Sequence, residues 1–93
     1  PKKFDLAVVD LYEDGIDEIV IANIPPKRRK GRVAVAQLDG DSVAKTGHER
    51  ISVKRNRAPQ IGEFDLTQHT VSIAFGSLER KFVISQSGLV DVQ

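Results

Sequence analysis

The stretch His69-Thr70-Val71-Ser72-Ile73-Ala74-Phe75-Gly76-Ser77-Leu78-Glu79-Arg80-Lys81-Phe82-Val83-Ile84 decides the fold. Apolar and polar residues alternate on both sides of Gly76-Ser77, the period of a strand with one covered face. A two-residue loop with Gly first suits a type II′ turn, whose first central residue needs φ > 0. Closing tightly there, the chain pairs Phe75 with Leu78 and Val71 with Phe82 on an apolar face, and Ser72 with Lys81 on a wet one.

Working outward, the same grammar recurs. Asp14-Gly15 separates Phe4 to Glu13 from Ile16 to Ile24, and Asp39-Gly40 separates Arg32 to Leu38 from Asp41 to Thr46. An Asp-Gly pair suits a type I′ turn, so a tight hairpin is expected at residues 14 and 15 and a second hairpin at 39 and 40. Ser87-Gly88 turns the chain into a last short strand, Leu89 to Val92. Between Gly47 and Phe64, Ile51-Ser52-Val53 suggests a strand and Ala58-Pro59-Gln60-Ile61-Gly62 a loop. The intervening runs are rich in Val, Ile and Thr and follow period 2 better than 3.6, which leaves room for one short helix at most.

Six to eight short strands at this spacing predict an all-β fold, a small antiparallel barrel or sandwich built from successive hairpins. A chain of 93 residues has the length of one domain, taken here as 1–93. Apolar residues at 40% and charged residues at 29% suffice for a core and a soluble surface. There is no cysteine, which excludes disulfides, thiolate metal sites and a thiol nucleophile. No apolar run reaches the ~18 residues of a membrane span, and no leader is visible, so an intracellular protein with no membrane partner is expected. The start at Pro1 fits both a chain that has lost its initiator Met and a piece of a longer one.

The net charge of +1 hides a segregation of sign. Residues 1 to 24 have a balance of −4, residues 25 to 57 of +7 and the remainder of −2. The basic middle has two foci. Lys27, Arg28, Arg29, Lys30 and Arg32 crowd a turn between two expected strands, and Lys54, Arg55 and Arg57 form a second cluster. Cations on a hairpin tip can lie along a phosphate backbone, and arginines can donate to it in bidentate fashion. The five aromatic residues, Phe4, Tyr12, Phe64, Phe75 and Phe82, stand mostly at core-like positions, which argues against a base-stacking platform.

The acidic stretch Asp10-Leu11-Tyr12-Glu13-Asp14-Gly15-Ile16-Asp17-Glu18 followed by Ile19-Val20-Ile21 resembles the calcium loop of FG-GAP-type β-propeller blades. The resemblance implies ligands at loop positions one, three, five and nine. Asp10, Asp14 and Glu18 occupy the first, fifth and ninth, but Tyr12 stands at the third. Calcium takes about six or more oxygens, and the Asp-Gly hairpin accounts for the same letters, so no metal site is assigned. The stretch Gly31 to Asp41, ending at Lys45, is similar to the strand pair before the catalytic lysine of LexA-like self-cleaving serine peptidases. That chemistry requires an upstream serine, and no serine precedes Ser42. The similarity therefore implies a shared hairpin and no catalytic role for Lys45.

His48 and His69, the only imidazoles, lie in different segments and read as surface or boundary residues; Glu63 and Asp65 read as solvent-facing. No phosphate-cradling glycine motif is present. No catalytic residue and no cofactor are expected. The function expected is that of a non-enzymatic binding domain that contacts DNA or RNA backbone through residues 27 to 32 and 54 to 57. The alternative is a protein-interaction or structural module that pairs acidic and basic surfaces, including those of its own copies.

Overall fold

The computed structural model describes residues 4–24, 30–52, 58–85 and 88–91. Eight strands and no helix occur among them: β1 (Phe4–Val9), β2 (Asp17–Asn23), β3 (Lys30–Asp39), β4 (Ser42–Ser52), β5 (Pro59–Asp65), β6 (Thr70–Phe75), β7 (Leu78–Ser85) and β8 (Gly88–Asp91). They form two four-stranded antiparallel sheets in simple meander order, β1-β2-β3-β4 (sheet A) and β5-β6-β7-β8 (sheet B). Successive hairpins, as the turn chemistry predicts, thus build a sandwich in which β1 lies beside β5 and β4 beside β8.

One apolar cluster joins the two sheets. Sheet A and its first loop contribute Leu11, Val20, Ala22, Ile24, Val33 and Val35, and sheet B contributes Val71, Ile73, Phe75, Phe82 and Ile84. The β6–β7 hairpin has the expected register, with Phe75 opposite Leu78, Val71 opposite Phe82 and Ser72 opposite Lys81. Gly76 has φ +67° and Ser77 no positive φ, the signature of a type II′ turn.

Three local expectations are corrected. The first hairpin does not close tightly at Asp14-Gly15: Val9 pairs with Glu18 rather than with Val20, and residues 10 to 16 form a longer loop. Leu11 is drawn fully into the core, and the Asp10 carboxylate gathers the loop by accepting from Asp14 N (3.1 Å) and Gly15 N (2.9 Å). The register differs by two residues, so every side chain keeps its face.

At the second hairpin the turn residues are Gly40-Asp41 instead of Asp39-Gly40. This places Gly40, at φ +61°, first in the turn and sets Leu38 opposite Val43 rather than opposite Asp41. An apolar cross-strand pair replaces a Leu–Asp pair.

Of the segment expected as a loop at 58 to 62, Pro59 to Gly62 form the start of β5. Pro59 occupies the first strand position, where its missing N–H costs no ladder bond, and a bulge between Ile61 and Phe64 absorbs Gly62. Pro59, Ile61 and Phe64 pair with Phe75, Ile73 and Val71, so the core supplies what local propensity does not. Ile51 and Ser52 close β4, and Val53 lies outside the described residues.

Candidate functional site

The acidic loop is built inward. Glu18 begins the inward-facing set of β2 with Val20 and Ala22, and only 1% of its surface is exposed. Its Oε1 accepts from Leu11 N at 2.8 Å, whereas Oε2 is buried with no hydrogen-bond partner. Burial pushes this carboxyl above the ordinary glutamate range, and the charges of Asp14 and Asp10 push the same way against the Leu11 and Tyr12 N–H groups. Asp10 is held low, chiefly by the Gly15 N–H.

Tyr12, at the loop position where a calcium ligand would stand, turns across the sandwich instead. Its hydroxyl donates to the Ile84 carbonyl, and its ring lies 4.3 Å from that of His69 at 32°. His69 has φ +59° and ends the β5–β6 turn, in which Asp65 Oδ1 accepts from Thr67 N and Gln68 N at 2.8 and 3.0 Å. The loop is thus a strap over one end of the core. Among the described residues no three histidine or acidic side chains converge on a point that could hold an ion.

The opposite end of sheet A is basic. Of the eight cations expected to contact a polyanion, Lys27, Arg28, Arg29, Lys54, Arg55 and Arg57 lie outside the described residues. Lys30 and Arg32 belong to β3 rather than to the turn before it. Arg32 pairs with Arg50 of β4 in the same outward row, and Lys30 pairs with Ser52. Gly31 between them faces inward against the Phe75 ring. Lys30 follows segment 25–29 and Ser52 precedes segment 53–57, so both segments join the sheet at neighbouring positions.

The outer faces of the two sheets differ in a way that sequence reasoning missed. On sheet B, Gln60, Ser72, Ala74, Glu79, Lys81 and Val83 point outward, and the bulge at Gly62 leaves a shallow depression of about 220 Å³ lined by Gln60, Ile61, Gly62, Ser72, Ala74 and Glu79. On sheet A, the paired rows run Leu6, Ile21, Ala34 and Val8, Ile19, Ala36 across β1 to β3 and continue at His48 and Lys45 of β4, with Leu38 and Val43 beyond. Phe4, Leu6, Val8 and Val43 are 53%, 50%, 54% and 62% exposed. The available signal was the near-continuous apolar run of Leu6 to Val9 and Ile19 to Ala22, which marks strands covered on both faces.

Fold and surfaces together define an all-β sandwich with an acidic loop beside one end of sheet A, an arginine pair at the other, and outward apolar residues on β1 to β3. No protein-family model matches the chain, and no curated protein is significantly similar to it.

Proposed function

We propose that the chain is a non-enzymatic binding domain whose basic end contacts the phosphate backbone of DNA or RNA. The observation that carries the reading is the pairing of Lys30 with Ser52, together with that of Arg32 with Arg50. Segment 25–29, with Lys27, Arg28 and Arg29, leads into Lys30, and segment 53–57, with Lys54, Arg55 and Arg57, departs from Ser52. The described residues that flank the two clusters in the chain, Lys30 and Ser52, are therefore neighbours at one end of sheet A, two positions beyond Arg32 and Arg50. Such a concentration of cations gains affinity by releasing counterions from the polyanion and carries little sequence preference.

Fluorescence anisotropy with labelled duplex DNA and single-stranded RNA tests the reading. Binding at low salt should weaken steeply as salt rises. Replacing Arg28 and Arg29 by alanine should reduce the log–log salt slope by about 2, about one for each phosphate left unneutralised. Absence of binding at low salt removes the reading.

A second reading, a protein-interaction module, is favoured by the apolar outer face of sheet A. Apolar patches of this kind on a sheet are surfaces for another protein surface rather than for water.

A further inference from the structure

We propose that the row Phe4, Asn23, Arg32 and Arg50 across the outer face of sheet A binds single-stranded nucleic acid, with an unpaired base stacked on Phe4 and phosphates held by the arginines. The inference rests on the nucleic-acid reading above and names the form of strand that the domain takes.

The row is continuous: Phe4 of β1 pairs with Asn23 of β2, Asn23 with Arg32 of β3, and Arg32 with Arg50 of β4. It lies on the face turned away from sheet B, because the neighbouring positions Ala22 and Val33 enter the core. Three strand spacings of about 4.8 Å give it a length of about 14 Å.

Each member matches one part of a single strand. Phe4 alone of the five aromatic residues is exposed, at 53%; Tyr12 and Phe64 are half-buried, and Phe75 and Phe82 are buried. A ring open to solvent is a platform for a base of any identity. In the next row Leu6, exposed, and Ile21, half-buried, extend the apolar floor beside it. Asn23 carries an amide, which both donates to and accepts from a base edge.

Arg50 is exposed and Arg32 half-buried, and guanidinium groups bind phosphate oxygens with charge-assisted bonds. The two stand directly opposite each other with no carboxylate in their row, a repulsion that an anion between them relieves. Along β4 the register places His48 and Lys45 at the ends of the next two rows. Apolar residues thus lie toward β1 and cations toward β4, as the bases and the backbone of one strand require. A duplex offers Phe4 nothing, because its bases are already stacked on both faces.

Fluorescence anisotropy with labelled strands of about ten nucleotides tests this. The strands are oligothymidine, oligouridine, an abasic DNA strand with the same number of phosphates, and a duplex. The thymidine or uridine strand should bind at least about tenfold more tightly than the abasic strand, and more tightly than the duplex at the same salt. The tighter of the two identifies the sugar that the site prefers.

Phe4→Ala should keep the circular dichroism spectrum and weaken binding of the base-bearing strand by about fivefold to a hundredfold, the worth of one stacked base. Its salt slope should not change, since stacking releases no counterions, whereas Arg50→Ala should lower the slope by about 0.7. Phe4→Trp gives the chain its only tryptophan. It should keep the affinity, and its emission should be quenched by the base-bearing strand but not by the abasic one.

Equal binding of base-bearing and abasic strands, tighter binding of the duplex, or unquenched emission overturns the inference and leaves the backbone reading standing. Absence of binding by every strand at low salt removes both, and leaves the outward apolar residues of β1 and β2 to a protein partner.

Discussion

Gly31 of β3 lies so close to the ring of Phe75 in β6 that a methyl group on it would stand 2.5 Å from Cε1 and 2.8 Å from Cζ. Sheet A and sheet B approach each other at this point because one side contributes no side chain. Gly31→Ala is expected to cost about 1–3 kcal/mol through overpacking. Urea denaturation followed by circular dichroism measures it. Phe75→Leu should be destabilising alone, yet the loss caused by Gly31→Ala should be smaller in that background, because the contacting ring is gone. Additive losses would show that the ring is not the obstacle.

The Tyr12 hydroxyl ties the acidic loop to the Ile84 carbonyl across the sandwich. Tyr12→Phe keeps the stacking on His69 but removes the donor, with an expected loss of about 0.5–1.5 kcal/mol in thermal or urea unfolding. Burial, first, and the charges of Glu18 and Asp14 raise the phenol above its ordinary value of 10.0. The stability tied to the neutral phenol is therefore full below 10 and lost as pH rises through the folded-state value. Tyr12 is the only tyrosine, so absorbance of tyrosinate reports this one group. Ionisation at or below the ordinary value would contradict the contact.

Glu18 confers a pH dependence opposite in sign to that of Asp10 and Asp65. Burial raises its carboxyl above 4.5, so the folded chain keeps that proton to higher pH than the unfolded chain does. Its contribution is full below about 4.5 and is lost as pH rises through the folded-state value. Asp10 and Asp65, lowered from 3.8 mainly by the N–H groups of Gly15 and Gln68, contribute above that value and lose their contribution as pH falls. Glu18→Gln keeps an acceptor for Leu11 N. Its stability relative to wild type should grow as pH rises from 4.5, measured as urea midpoints at successive pH values. Parallel curves would count against a buried, titrating carboxyl.

Gly76 holds φ +67° at the first position of its turn. Gly76→Ala should cost at least ~1 kcal/mol, since a β-carbon is strained there whatever the surrounding space. The cost should appear mainly as a lower denaturation midpoint with unchanged cooperativity. A neutral substitution would mean that the turn has another geometry.

How much was legible in the letters differed from one hairpin to the next. At Gly76-Ser77, local turn geometry and strict alternation name the same register, and both can be read without knowing what covers the strand. The basic clusters were equally plain as charge. That they join the sheet at adjacent positions needed the pairing of Lys30 with Ser52. Nothing in the sequence marks segment 58–62 as a strand, because Pro59 and Gly62 speak for a loop until Phe75, Ile73 and Val71 lie opposite.

The sequence by itself determined an all-β chain of hairpins, the inward set of β6 and β7, and the charge segregation, because each depends on neighbours a few residues apart. Only the tertiary structure decided that the first turn opens into a loop. Leu11 enters a core completed by sheet B, and Tyr12 finds its acceptor at Ile84, far along the chain. Only the tertiary structure, again, left Phe4, Leu6 and Val8 uncovered, since an apolar run shows that a strand has two faces to bury but not which of them the rest of the chain reaches.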